Sequence, residues 1–368
     1  MSLRPWILPL IFLLGFAAGC QPESAPTPTD EPTSEPEAEK PNLEDEDVEE
    51  PKPAEPTAST KACVGPIEDG EPVKVKIGKQ MWERRGSTLS ATKGLKKKKL
   101  VVGTLSDVKE DSEENLANLD VLVKKFKKAK VDLVMVAGDS GLDQKQIVGV
   151  LNKIAGIGVP VFAIAGNREG EADYTAALTE VTQANPNVLS LNEIRRIDTP
   201  FADFVSLPGY FNPNYIHAED GCQYFQADVD QLDELAKASD SPVVLISHGG
   251  PKQSGEEGID RTAEGDNVGD PMLLAAIEKN KIPFGIFGNI HEAGGRATDL
   301  EGTKVLAEGK SFDSMYLNPG PADGVAWQMN DGSESIGMGA VFTIDADGKA
   351  TYAMHRIPDP SKKVAKKP

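Results

Sequence analysis

The chain is short of three things, and each shortage narrows what it can be. It has three cysteines in 368 residues, which leaves room for one disulfide at most. It has no basic surplus: 39 Lys and Arg stand against 58 Asp and Glu, a formal net charge of -19. Nucleic-acid binders usually carry a basic face, so nucleic acid is not an expected partner. It also lacks an apolar run of the roughly 20 residues needed to cross a hydrocarbon core of about 30 Å, which argues against an ordinary spanning helix. The acidity itself is local. Between Gln21 and Ala62 there are 13 Asp and Glu against 3 Lys, so a short stretch carries about half of the net charge. The basic runs at Lys96–Lys99 and at the C-terminus read as solvated flanks.

The N-terminal segment is what is present instead. Arg4 gives residues 1–19 a positive start, Trp6 to Phe16 are apolar, and Ala17, Ala18 and Gly19 lead to Cys20. Small residues directly before a cysteine resemble the lipobox of bacterial lipoproteins. That resemblance implies cleavage before Cys20, a lipid on its sulfur, and an exported protein anchored on the extracytoplasmic side of a membrane. Residues 20–62 follow, with nine prolines and almost no large apolar side chains. Such a composition cannot bury enough surface to offset its ordering entropy and reads as a disordered tether. Residues 63–99 form an N-terminal extension, 100–358 the main domain and 359–368 a basic tail. Cys63 and Cys222 remain after Cys20, in a compartment that permits disulfides; they are either a bridge or two unpaired buried thiols.

From Leu100 short apolar runs alternate with helical periods. Strands are expected at Leu100–Leu105, Leu133–Val136, Val159–Ala165, Phe204–Leu207, Val243–Ser247 and Phe284–Phe287. A helix with Leu116, Leu119, Leu122, Val123 and Phe126 on one face separates the first two, and others are expected at Asp143–Ile157, Asp228–Ala238 and Pro271–Lys279. Asp143 suits an N-cap and Pro271 a first helical turn. A β-rich end follows at Ser314–Leu317, Ala340–Ile344 and Thr351–Arg356. This alternation implies an α/β fold around a buried, largely parallel sheet, in which ligands gather beyond the carboxyl ends of the strands.

Those strand ends carry Asp107, Asp139, Asn167, His248 and, after the Phe284–Phe287 strand, Asn289 and His291. Carboxylate, amide oxygen and imidazole together suit Mn, Fe or Zn. Taken alone, GDSGLD is also an ordinary turn after a buried strand. In order, however, the chain reads D-V-K (Asp107 to Lys109), GDSGLD, GNR, SHGGP and GNIH. This resembles the calcineurin-like metallophosphoesterases, whose pattern is D-x-H, GD-x-x-D, GNH, a lone His and GH-x-H. The resemblance covers about Leu100 to Arg356 and implies a four-layer α/β/β/α sandwich binding two metals. The first would lie on Asp107, the D-x-H histidine, Asp139 and His291. The second would lie on Asp139, Asn167, His248 and the first GH-x-H histidine, with the GNH histidine meeting the substrate and aiding the leaving group.

Three of those histidines are absent. Lys109, Arg168 and Asn289 stand in their places. The second position keeps the better donor set, because Asn289 still offers a carbonyl oxygen, whereas a protonated lysine cannot ligate. Lys109 and Arg168 balance the charges of Asp107 and Asp139, so Lys109 is expected to pair with those two carboxylates, or else to swing into solvent. One divalent metal or none is expected rather than two. Asn167 and Arg168 are the residues expected to meet a phosphoester, Arg168 through its bidentate fork. Three functions fit: a phosphoesterase with an altered site, a non-catalytic relative that binds a phosphorylated ligand or a protein partner, and a structural envelope lipoprotein.

Overall fold

A computed structural model describes residues 63–93, 95 and 98–358. The segments expected as a signal (1–19) and a tether (20–62, with Cys20) and the 359–368 tail lie outside them. In chain order the strands begin with β1 (Val73–Ile77), β2 (Gln80–Arg85), β3 (Thr88–Lys93), β4 (Lys99–Leu105), β5 (Leu133–Val136) and β6 (Val161–Ala163). Then come β7 (Val188–Ser190), β8 (Arg196–Asp198), β9 (Asp203–Leu207), β10 (Val243–Ser247), β11 (Phe284–Ile286) and β12 (Arg296–Thr298). The last are β13 (Met315–Asn318), β14 (Trp327–Gln328), β15 (Glu334–Ser335), β16 (Met338–Asp345) and β17 (Ala350–Arg356). The helices are α1 (Glu113–Ala129), α2 (Gln144–Ala155), α3 (Glu171–Ala184), α4 (Gln226–Lys237) and α5 (Pro271–Asn280).

A six-stranded sheet has the order β17-β16-β4-β5-β6-β7 and a nine-stranded sheet the order β1-β2-β3-β8-β9-β10-β11-β13-β12, while β14 and β15 pair separately. The β4-β5-β6-β7 and β9-β10-β11-β13 segments are parallel, as crossover helices require. Alternation along the strands then decides the layers. Leu133 and Met135 of β5, and Val244 and Ile246 of β10, enter one core between the sheets, where Phe284 meets Phe342 with ring centroids 5.9 Å apart. Val134 and Val136 face the other way, toward Leu122 and Phe126 of α1, Ile147 and Leu151 of α2, and Val181 of α3. Val243 and Leu245 likewise face Leu232 of α4 and Leu273 of α5. Three cores between four layers make an α/β/β/α sandwich.

The helix starts follow their sequence signals. The Asp143 carboxylate accepts the Gln146 N–H at 2.9 Å, and Asp270 caps α5 ahead of Pro271. Between residues 63 and 99, β1 to β3 extend the nine-stranded sheet and set Trp82, fully buried, against Phe162. Cys63 and Cys222 form a disulfide, with Cα atoms 5.1 Å apart.

One buried group away from the strand-end rim gives a pH dependence. Asp203, opposite Asp198 in the β8–β9 pair, is fully buried beside Arg196 at 3.2 Å. Burial, with the charges of Asp198 and Asp240, raises its pKa from 3.8 to about 6 against the pull of Ser239 and Arg196. Between these values the unfolded chain releases a proton that the folded one keeps, so stability falls as pH rises through that window. Thermal melts from pH 4 to 6.5 are expected to show the gap between wild type and Asp203→Asn shifting toward the variant; a constant gap would refute this.

Candidate metal centre

The site is assembled from loops that leave the carboxyl ends of β4, β5, β6, β10 and β11. Four residues in these loops have left-handed backbone: Asp107 (φ 56°), Lys109 (φ 71°), Asp139 (φ 58°) and Asn289 (φ 65°). Outside glycine, the only others among the described residues are Lys130 and Lys281, which end α1 and α5. Asp and Asn tolerate this region better than most side chains, but such conformations cost of order 1–3 kcal/mol and concentrate where function holds them. Two glycines permit the close approach. A Cβ on Gly138 would lie 2.5 Å from Nδ1 of His248, and one on Gly166 2.3 Å from Oδ1 of Asp139.

Oδ1 of Asp139 accepts the N–H groups of Asn167 and Arg168, each at 3.2 Å. Nδ1 of His248 lies 2.8 Å from the Ala137 carbonyl. A carbonyl can only accept, so Nδ1 carries the proton and the neutral ring presents Nε2 bare. That nitrogen faces Oδ1 of Asp139 at 3.2 Å and Oδ1 of Asn167 at 3.1 Å, while Asn167 Nδ2 donates to the Tyr215 carbonyl at 2.7 Å. Three acceptor atoms thus converge with no hydrogen between them. Either a second proton on His248 or a cation must separate them, and this donor set suits a divalent ion. Asp107, Asp139 and His248 also offer ligand atoms within 4.8 Å of one another.

The neighbouring carboxylates titrate apart. Burial pushes Asp139 upward, and the charge of Asp107 adds to this. Burial would raise Asp107 as well, but the hydrogen bond and charge of His291, with His248 and Lys109, hold it below the usual carboxylate range. Asp107 accepts from Ser106, from the Asn289 N–H at 3.2 Å, and lies 3.2 Å from Nε2 of His291. The Asn289 amide nitrogen is held by the Tyr210 hydroxyl at 2.9 Å.

Lys109 corrects the sequence-based expectation. It does not pair with Asp107 and Asp139 and does not swing into solvent: its Nζ lies 2.7 Å from Asp323, with a side chain 12% exposed. The expected charge balance fails with it. Glu169, fully buried, is a further carboxylate; it accepts the N–H groups of Ser140 at 2.5 Å, Gly166 at 2.8 Å and Asp139 at 3.3 Å. Burial and the charge of Asp139 push it up to about 7, against the pull of His248 and the backbone donors. Counting Glu169 and Asp323 with Asp107 and Asp139, four carboxyl groups stand against the two cations Lys109 and Arg168, so the centre keeps an excess of negative charge. A bound cation, or a second proton on His248, would offset it.

The model of the calcineurin-like phosphoesterase family matches residues 100–293. The chain belongs to the calcineurin-like phosphoesterase family. Among solved structures, one matches with TM-score 0.50 and 15% identity over 71% of this chain and all of its own. The protein TT1561 of Thermus thermophilus matches at 0.45 and 12% over 69% and 98% of the two chains. A dimetal phosphatase from Danio rerio matches at 0.41 and 14% over 69% and 99%. At 15% identity the first of these likenesses is one of fold alone. As a calcineurin-like phosphoesterase, this chain brings Asp107, Asp139, Asn167, His248, Asn289 and His291 to one rim. Sequence reasoning missed four participants. Glu169 directly follows GNR and Tyr210 follows the end of β9; Asp323 and Trp327 lie beyond the motifs and have no comparable signal.

Proposed function

We propose that this calcineurin-like phosphoesterase is a metal-dependent hydrolase of phosphomonoesters or phosphodiesters, held at the cell envelope by a lipid on Cys20. The reading is carried by the convergence of His248 Nε2, Asp139 Oδ1 and Asn167 Oδ1. A divalent cation there, Mn, Fe or Zn, would supply Lewis-acid charge to a phosphoryl oxygen. Asp139 would provide the anionic ligand, His248 the imidazole that Ala137 orients, and Asn167 the amide oxygen that Tyr215 orients. Tyr210 fixes Asn289 at the edge of the site. One ion rather than two is the expected loading.

A second reading has its own observation. Arg168 stands where the family has a histidine, and its Nε is buried without a hydrogen-bond partner. A guanidinium holds a phosphate by its fork but stays protonated, so it can bind a phosphorylated ligand or partner without assisting a leaving group. The full chain, stripped with chelator and reloaded with Mn, separates the two. Hydrolysis of p-nitrophenyl phosphate or its bis-ester that vanishes with chelator and returns with Mn supports the enzyme. Mn binding without turnover of either ester supports the binding protein.

A further inference from the structure

We infer that Lys109, clamped by Asp323 and Trp327, is the second cation of this centre, so that the site accepts one divalent ion and not two. The inference rests on the metal-dependent reading above and states why the first family position is closed in this chain.

The clamp has three members on one side of Asp107. Nζ of Lys109 is 2.7 Å from Oδ2 of Asp323, whose side chain is 1% exposed. The other oxygen of Asp323 accepts Nε1–H of Trp327 at 3.0 Å. The Trp327 ring lies 4.2 Å from the ammonium, at cation–π distance. The same ring packs on His291, centroid to centroid 4.2 Å, and Nε2 of His291 faces Asp107 at 3.2 Å. One aromatic plate therefore holds an ammonium and an imidazole beside the carboxylate that would be a first-metal ligand. The backbone aims the lysine there: residue 109 is left-handed, and its N–H donates to the Asp139 carbonyl at 2.8 Å.

An ammonium has donors and no lone pair, so Lys109 cannot ligate while its charge is kept. Asp323 and the Trp327 ring hold it in place. A divalent ion placed on Asp107 and His291 would sit beside that fixed positive charge and would have to part the His291–Asp107 contact. Lys109 instead offers its remaining N–H groups to a phosphoryl oxygen, as lysines do in other phosphate sites. Asp323 and Trp327 are positioning residues: they act through Lys109.

The test loads the full chain with excess Mn, removes free metal and counts Mn per chain. Wild type is expected to bind one equivalent and to give the electron paramagnetic resonance signal of an isolated Mn ion. Lys109→His, which removes the ammonium and adds a ligand, is expected to bind two. Asp323→Asn is expected to keep one equivalent while raising KM for p-nitrophenyl phosphate ~10-fold, the scale of changes just outside the ligand shell; Asp323→Glu is expected to restore most of it. Two equivalents, or an exchange-coupled pair, in wild type overturn this inference and leave the metal-dependent reading standing. A folded Lys109→His that stays at one equivalent overturns it also. No Mn on wild type overturns the reading beneath it, and the inference with it. The wild-type spectrum decides the matter even where Lys109→His fails to fold.

Discussion

Asp139→Asn is expected to empty the centre of metal and to lower kcat/KM for aryl phosphates by at least ~10²-fold, without loss of fold. Changes beside a metal's ligands typically cost 10–100-fold, so removal of a ligand sets that range as a floor. The substitution is nearly isosteric, and its effect separates by atom. Oδ1 of Asp139 accepts the N–H groups of Asn167 and Arg168, and an amide oxygen can keep both bonds. What disappears is the charge, the single anion in the set formed with Asn167 and His248. Burial and Asp107 already disfavour that charge in the folded protein, so with metal stripped from both proteins its loss should leave the melting temperature unchanged or slightly higher, since bound metal would itself stabilise wild type. A site that trades stability for chemistry behaves in this way. Mn per chain and aryl phosphate turnover on the loaded proteins, with a thermal melt on the stripped ones, check all three parts. Unchanged Mn content with unchanged turnover would show that the convergent acceptors are not a metal site.

Much of this centre was legible because it lies where the α/β rule places ligands. Contiguous apolar runs marked β4, β5, β10 and β11, and the polar residues just beyond them are those that meet. The same rule could not reach the N-terminal strands. Val73 to Ile77 reads Val-Lys-Val-Lys-Ile with only Ile77 buried, so β1 shows little inward face until Trp82 and Leu89 lock its neighbours into the core. Helix α3 buries only Tyr174, Ala177, Leu178 and Val181, an apolar face too small to announce itself. Lys109 fails for another reason. A four-carbon stem can reach many partners, and Asp323 is brought beside it by tertiary folding alone. Counting charges within the motifs therefore missed both Glu169 and Asp323, and with them the sign of the centre.

Breaking the Cys63–Cys222 bridge is expected to lower the melting temperature by about 10 °C. The sequence left two unpaired thiols open as an alternative; the fold brings the two cysteines together across a separation of 159 residues. Releasing a loop of that size returns about 5 kcal/mol of chain entropy to the unfolded state in the loop-closure picture. At roughly 2 °C per kcal/mol for a domain of this size, the shift follows. The bridge also sits close to the chemistry. The Cys222 carbonyl accepts the Tyr210 N–H at 2.9 Å, and the Tyr224 N–H returns to the Tyr210 carbonyl at 3.1 Å. Tyr210 in turn holds Asn289 and lies edge-on to His248, ring centroids 6.3 Å apart. Loosening residue 222 should therefore reach the site as a smaller, second effect on turnover. Melts of wild type with and without reductant, beside a Cys63→Ala, Cys222→Ala double variant, make the comparison. Reduced wild type should coincide with the double variant, and a double variant that melts with oxidised wild type would show that the bridge contributes nothing to stability. Because Asn167 and His248 are also held by the Tyr215 and Ala137 carbonyls, the double variant should retain its Mn while losing thermal stability. Stability and metal content are thus expected to separate in this variant, the reverse of Asp139→Asn, where metal goes and stability stays.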